Sequence, residues 1–333
     1  MIKWGVVGLG NMANQFANAV KKLKNAKLVA AASKSEIRLK NFSKEHKISD
    51  NYLFNSYNDL INSNIIDAVY ISTLNNTHIE LIDKCVENKK NILCEKPIGI
   101  NIKEVKSIYE KIKKTKIYFN EAIAYRSHPQ TIELKKLIDE NEIGKIKKIE
   151  SSFGFKVRKI DKNSRLFNKD LGGGAILDIG CYPISFFNLF VDKKDELKFI
   201  KVDGTSAITG VDNYAKISLL SEKNIELNAK VSLKENFENI CTIYGTKGTI
   251  ILPNPWLPSK KSYIEVNRDN SYYKKFINSQ KNVYSIQIEN VSNRFNNNKN
   301  KESDLLVDID ESLKTMKILD KWSQNISENL KKP

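Results

Sequence analysis

The sequence predicts an α/β fold in two parts: an N-terminal doubly wound parallel sheet over residues 1–121, then an α+β domain at 122–333 with an open, mostly antiparallel sheet. Three observations carry this expectation. Short β-branched runs alternate with longer helical patterns as far as residue 122; from residue 198 to about 268 the chain runs strand after strand; and 333 residues exceed one ordinary core but suit two.

In the first domain, strand-like "KWGVVGLG" is followed by helical "ANQFANAVKKL". "KLVAAAS" is likewise followed by "IRLKNFSKEH", "DAVYIST" by "THIELIDKCVENK" and "NILCEK" by "NIKEVKSIYEKIKK", and the series ends on "KIYFNEA". Such alternation builds parallel neighbours with helices on both faces, and these sheets bind ligands at the carboxyl ends of their strands. Next come helix-like "HPQTIELKKLIDENEIG", strand-like "KIKKIESSFGFKV" and the apolar helical stretch "AILDIGCYPISFFNLFV". The segments "FIKVDGTSAITG", "DNYAKISLLS", "NIELNAKVSL", "NICTIYGTKGTIILP" and "SYIEVN" are strands without intervening helices, which argues for an antiparallel or mixed sheet covered on one face by the preceding helix. "GTKGTI" reads as a hairpin turn. "VYSIQIENVSNRF" and "DIDESLKTMKILDKWSQ" restore helical periodicity across a polar "NNNKNKESD" junction, leaving the C-terminal helix free to pack back on the first domain.

Composition excludes several classes. At 41% hydrophobic and 28% charged the chain is ordinary globular protein, with no run near the roughly 20 apolar residues of a membrane span and no signal-peptide layout at "MIKWGVVGLG". A cytoplasmic protein without membrane partners is expected. The cysteines Cys85, Cys94, Cys181 and Cys241 lie far apart, in no metal-ligand or disulfide spacing, so no metal is expected and they read as small buried apolar residues. The net charge of +16 arises from lysines spread along the whole chain, with no nucleic-acid reader motif, so nucleic acid is not an expected partner.

"VVGLGNMA" sets Gly8, Gly10 and Ala13 in G-x-G-x-x-A spacing between a strand and a helix. Gly8 permits the tight turn, Gly10 lets a pyrophosphate approach the backbone, and the N–H groups from Asn11 and Met12 onward meet the anion. The second strand ends "AAASKSEIR", without the acidic residue at its end that binds a free ribose. Ser33, Lys34 and Ser35, with Arg38 one turn on, suit a 2′-phosphate, so NADP is the expected cofactor, with NAD possible because of Glu36. The alternative is a solvated helix start capped by Ser35.

Together "GLGNMA", "ISTLNNTHIE" (71–80), "CEKP" (94–97), "YRSHPQ" (125–130) and "GGGAILDIGCYP" (172–183) resemble the glucose-fructose oxidoreductase, inositol dehydrogenase and MocA family. The likeness is strongest to its dihydrodiol and NADP-dependent xylose dehydrogenase subgroup. It implies a Rossmann domain, a substrate domain and a catalytic Lys96 that polarises the reacting hydroxyl or relays its proton. It also implies a Glu95 that holds Lys96 or its backbone, and a cis bond before Pro97. Asp178 and Tyr182, four apart in a helical stretch, project on one face. Tyr182 is expected as acid or base, and Asp178 as an acceptor for a neighbouring hydroxyl or an orienter of Lys96. Thr73 and Asn75 are placed near the nicotinamide ribose or phosphate. His78 is either a cofactor contact or a helix-start cap, and Arg126 and His128 either touch substrate or stabilise the domain junction. The basic segment 156–170, with Arg158, Lys159, Lys162 and Arg165, is a lid hinged at Gly172–Gly174 or simply a solvated loop.

The implied function is an NADP-dependent transfer of hydride to or from a sugar, cyclic diol or related carbohydrate carbon, in a homo-oligomer, dimer or tetramer. Alternatives are a nucleotide-sugar oxidoreductase and a non-catalytic nucleotide-binding regulator. Retention of Lys96, Asp178 and Tyr182 together argues against the regulator.

Overall fold

A computed structural model describes residues 1–269, 271–296 and 305–329, so the polar junction from Asn297 onward lies outside the described residues. The chain divides into two compact units, 1–127 with 281–313, and 128–280 with 314–333.

The first unit alternates β1 (Ile2–Val7), α1 (Asn11–Val20), β2 (Ala26–Ala32), α2 (Glu36–His46), β3 (Leu53–Phe54), α3 (Tyr57–Asn62), β4 (Ala68–Ile71), α4 (His78–Glu87), β5 (Asn91–Cys94), α5 (Ile102–Lys113) and β6 (Phe119–Glu121). The strands form one six-stranded parallel sheet in the order β3-β2-β1-β4-β5-β6. Chain direction across the sheet reverses between β1 and β4, the switch point where ligands of doubly wound sheets bind. Helix starts are capped by local side chains: Ser35 accepts from the Arg38 N–H, Ser56 from Asp59 and Asn101 from Glu104. β3 and α3 escape the sequence reading because a two-residue strand and a six-residue helix are too short to show periodicity.

The second unit contains α6 (Pro129–Asp139), β7 (Ile146–Gly154), α7 (Cys181–Phe187), β8 (Lys198–Ser206), β9 (Asp212–Leu220), β10 (Glu226–Ser232), β11 (Ile240–Gly245), β12 (Gly248–Pro253), β13 (Lys261–Arg268) and β14 (Ser271–Asn278). They form an eight-stranded sheet in the order β14-β13-β12-β11-β7-β10-β9-β8, in which β7 and β10 are parallel and the other neighbours antiparallel. β11 and β12 make the hairpin expected at "GTKGTI". β14 is a strand the sequence reading passes over: its residues are exposed but for Ile277, so it lacks the alternation of a half-buried strand.

Two C-terminal helices follow, α8 (Val283–Phe295) and α9 (Ile309–Asn329). α8 belongs to the first unit, where Ile288, Val291 and Phe295 join the core of Trp4, Phe16 and Ala13, and Ser292 Oγ accepts from the Trp4 indole at 3.1 Å. In the second unit the far half of α9 covers the sheet, its Trp322 indole donating to the Lys216 carbonyl at 3.0 Å.

Candidate active site

In the first unit every nucleotide-binding residue expected from the sequence falls at or just beyond the carboxyl edge of the parallel sheet. Gly8 follows β1 with φ of +83°, and a Cβ there would stand 2.6 Å from Thr73 Cγ2 and 2.9 Å from the Ser72 carbonyl oxygen. Only glycine adopts that turn without strain. Ser72 Oγ ties the neighbouring loop to it by donating to the Gly8 carbonyl at 2.7 Å. Gly10 is the opposite case, for a Cβ there would meet nothing within 4 Å. It is the N-cap of α1, whose first turn has no side-chain cap and no acidic residue, and Asn11 and Met12 begin that turn. An open helix start above a glycine with empty space over it fits a pyrophosphate.

Beyond β2, Ser33 is buried and its Oγ accepts the Ser35 N–H at 3.1 Å. Lys34 is exposed with its ammonium 5.6 Å from the Tyr57 ring centre, and Arg38 is exposed one turn into α2. Glu36, the residue that argues for a free ribose, pairs with Lys40 at 2.7 Å.

Past β4, Thr73 Oγ1 accepts from Thr77 Oγ1 at 2.7 Å and Asn75 is buried in a short 3-10 turn over Asn75–Thr77. His78 is fully buried at the start of α4, its Nδ1 2.9 Å from the Pro97 carbonyl oxygen and its Nε2 3.3 Å from that of Thr73. Burial pushes it down to about 4, so the ring is neutral, and the shorter contact assigns its N–H to Nδ1. His78 therefore braces the loops beyond β4 and β5 from behind.

β5 delivers Glu95 and Lys96. The Glu95 carboxylate accepts from the buried Tyr70 hydroxyl at 2.5 Å, and burial holds that phenol well above its usual range, so it donates as a neutral O–H. Lys96 is half-buried and its bond to Pro97 is cis, as the resemblance implies. Arg126 is buried and spends both terminal nitrogens on Glu311, Nη1 on Oε1 and Nη2 on Oε2 at 3.1 Å.

In the second unit His128 caps α6, its Nδ1 accepting the Gln130 N–H at 3.1 Å, and burial pushes it down to about 4. The helical stretch carrying Asp178 and Tyr182 is anchored by Asp212, whose carboxylate accepts the Ile176 N–H at 2.7 Å. Gly174, at φ of +115°, makes room for this cap, since a Cβ there would collide with Asp212 Oδ1. The stretch is not one α-helix: Ile176–Gly180 is π-helical and passes into α7 at Cys181. Pro183 explains the change, for it has no N–H to give the Ile179 carbonyl and its ring would crowd that oxygen in a regular helix.

Asp178 is buried on the π turn, and Arg165 Nη1 donates to its Oδ1 at 2.7 Å. The sequence offered Asp178 a hydroxyl or Lys96 as partner; within this unit it has Arg165. Tyr182 is half-buried, edge-on to Phe153 at 5.2 Å and to Trp256 at 6.3 Å, and the Trp256 indole donates to the Ser152 carbonyl at 2.9 Å. The glycine run is a packing joint: a Cβ on Gly173 would lie 2.8 Å from the carbonyl oxygens of both Leu166 and Asn168. The turn presenting Arg165 is bonded to that run through Gly174 N–H to the Leu166 carbonyl and Gly173 N–H to that of Asn168. Arg158, Lys159 and Lys162 are exposed.

The structure thus gathers Gly8, Gly10, Ser33, Thr73 and Lys96 at one sheet edge, and Asp178 and Tyr182 on one helical segment. It turns Arg126 to an ion pair and His128 to a helix cap. Sequence reasoning missed Arg165 as the partner of Asp178, and Phe153 and Trp256 as the wall beside Tyr182. The only sequence signal for Trp256 is an aromatic residue just past a hairpin strand.

Comparison with known proteins agrees with this architecture. Residues 2–123 match the family model described as an oxidoreductase family with an NAD-binding Rossmann fold, and 131–251 match the GFO/IDH/MocA C-terminal domain. Trans-1,2-dihydrobenzene-1,2-diol dehydrogenase of Xenopus tropicalis is 31% identical over 260 residues, 77% of each chain. The Homo sapiens enzyme of that name is 28% identical over 263 residues, 78% of this chain and 77% of its own. Among solved structures, aldose-aldose oxidoreductase from Caulobacter crescentus, complexed with glycerol, has a TM-score of 0.88 at 19% identity over 98% of both chains. A 3-ketoreductase from Actinomadura kijaniata, in complex with NADP and TDP-benzene, has 0.83 at 20% identity over 96% of both. These two share the fold.

Proposed function

The chain belongs to the GFO/IDH/MocA oxidoreductases and is an NAD(P)-dependent enzyme, and from that premise we propose that it oxidises or reduces a hydroxyl-bearing carbon of a cyclic diol or sugar, using NADP(H). The observation that carries the substrate class is the setting of Tyr182: its ring stands edge-on to Phe153 and Trp256, with the Asp178–Arg165 pair one turn before it. Flat apolar walls beside a phenol and a carboxylate suit a ring bearing vicinal hydroxyls, as in the substrate that names the dihydrodiol dehydrogenases.

The nicotinamide, when bound, supplies the hydride acceptor or donor. Gly8, Gly10, Asn11 and Met12 hold its pyrophosphate; Ser33, Lys34 and Arg38 meet a 2′-phosphate; Thr73 and Asn75 meet the nicotinamide ribose. Lys96 polarises the substrate oxygen and Tyr182 takes or returns its proton, while Asp178 receives a hydrogen bond from the adjacent hydroxyl. Turnover on a panel of aldoses and cyclic diols, followed by absorbance of the reduced cofactor, tests this. Tyr182→Phe and Lys96→Met should each lower kcat by roughly 10² to 10⁴ with little change in NADP affinity. The double variant should lose much less than the product of the two. Full turnover in Tyr182→Phe removes that residue from the mechanism.

A second reading, a nucleotide sugar as substrate, is favoured by the exposed cations Arg158, Lys159 and Lys162 in the unit that carries Tyr182, which suit a diphosphate. Quenching of bound-cofactor fluorescence by a nucleotide sugar but not by free sugars would favour it. No helix of the described residues is long and apolar enough to cross a membrane, and cell fractionation tests the cytoplasmic location. A homo-oligomer accords with the exposed Tyr272, Tyr273 and Phe276 on β14, and light scattering reads its size.

A further inference from the structure

The peptide group linking Pro97 to Ile98, one residue beyond Lys96, is held at both ends by buried ionisable side chains. His78, from α4, lies against its carbonyl oxygen at 2.9 Å. Glu121, the last residue of β6, accepts its N–H through Oε1 at 3.0 Å. Glu121 is 4% exposed, and its other oxygen accepts from the Ser312 hydroxyl at 2.6 Å. Its backbone is fixed as well, since its own N–H donates to the Val307 carbonyl and the next N–H, of Ala122, to that of Cys94. A rigid element thus reaches the turn that carries Lys96 through a carboxylate.

Resting on the role proposed above for Lys96, we propose that Glu121 is its positioning residue: it fixes the Pro97–Ile98 peptide against His78 and sets a titratable carboxylate within electrostatic reach of the Lys96 ammonium. The charged and titratable groups facing it are Lys96, the Cys94 thiol and Glu311, and Glu311 is itself engaged by Arg126. Burial raises Glu121 to about 7, while the bonds from Ser312 and Ile98 and the charge of Lys96 act to lower it. The group therefore changes charge near neutrality. Protonation leaves one oxygen free to accept the Ile98 N–H, so the clamp persists while the charge beside Lys96 changes.

Glu121→Gln separates the two effects, because its amide oxygen can still accept from Ile98 while the charge is gone. The expected result is a kcat about tenfold lower, substrate KM changed less than about threefold, and loss of an inflection near pH 7 from the kcat profile. Ser312→Ala, which removes a bond to the charged form, should move that inflection to higher pH. Infrared difference titration of the carboxyl in the substrate-free protein should show the same upward move, and reads the group without turnover. Wild-type kcat and pH profile in Glu121→Gln would overturn the proposal, as would an unmoved carboxyl titration in Ser312→Ala. Lys96→Met separates this from the underlying reading: if it turns over normally, the role of Lys96 fails, whereas an inactive Lys96→Met beside an unaltered Glu121→Gln removes only the positioning role.

Discussion

At the carboxyl edge of the parallel sheet, the groups offered to a ligand are largely backbone: the Gly8 turn, the open start of α1 and the loop beyond β4. On the helical segment 176–187 the groups proposed to meet a substrate are side chains, Asp178 and Tyr182, set by partners from distant strands and loops: Arg165, Phe153, Trp256 and Asp212. The difference follows from what each region is proposed to recognise. A pyrophosphate has one shape and one charge, so a fixed array of N–H groups suffices. A substrate's hydroxyls vary in number and orientation, and matching them takes side chains whose positions depend on packing.

If that contrast is right, the substrate-side wall should be the more sensitive to loss of side-chain volume. Trp256 is 1% exposed, edge-on to Phe186 at 5.7 Å and hydrogen-bonded to Ser152. Trp256→Ala should lower unfolding free energy by about 3 to 5 kcal/mol in urea titration and raise KM for substrate. A variant as stable as the wild type would show that the wall is not packed as a unit, and would break the comparison.

The carboxyl edge has its own side-chain dependence at Glu121, and stability against pH exposes it. Its folded value of about 7 lies above the ordinary 4.5, so its contribution to stability is fully present below about 4.5 and lost as pH rises through about 7. Wild type should therefore lose about 3 kcal/mol relative to Glu121→Gln between pH 4 and pH 8, because each tenfold change in proton affinity on folding is worth ~1.4 kcal/mol. His78 and His128, pushed down to about 4, contribute with the opposite sign, and Asp212, raised to about 6, with the same sign. All three are present in both proteins and cancel in the difference. Parallel stability curves for the two proteins would contradict this.

Gly8 and Gly10 sharpen the contrast from the nucleotide side. Gly8→Ala forces a Cβ into Thr73 and Ser72 at positive φ and should cost about 1 to 3 kcal/mol of stability as well as nucleotide affinity. Gly10→Ala meets no atom of the protein, so it should cost under about 1 kcal/mol of stability yet weaken nucleotide binding about tenfold. Equal effects of the two substitutions on binding and stability would mean that the space over Gly10 is not used by the ligand.

The same contrast decides what could be read in advance. The glycine spacing at 8, 10 and 13 is a local code for a local backbone shape, so the nucleotide edge is legible in a few consecutive residues. Asp178 and Tyr182 could be placed on a helix, but the π turn could not, because it answers the ring of Pro183 against a preceding carbonyl. Arg165 looked like one cation among several. What singles it out is the crowding at Gly173, which fixes the turn that presents it to Asp178. Glu121 ends a three-residue strand, and Ser312, which bonds it, lies 191 residues further along. No window of sequence contains that pair.

The last expected effect concerns cofactor choice alone, at a place on the nucleotide edge where side chains should decide the ligand. Lys34 extends into solvent beside Tyr57, and the exposed Glu36 lies 2.7 Å from Lys40. A charge-assisted phosphate contact is worth on the order of 1.5 to 3 kcal/mol, so NADP(H) should bind about tenfold or more tighter than NAD(H). Lys34→Ala should remove most of that margin by weakening only the phosphorylated cofactor. Because Lys34 is exposed, the margin should also shrink as salt screens the contact. Calorimetric titration of both cofactors at low and high salt measures this directly. Equal losses for NADPH and NADH in Lys34→Ala would assign Lys34 to the loop's own structure, and would leave Ser33 and Arg38 as the side chains proposed for the 2′-phosphate.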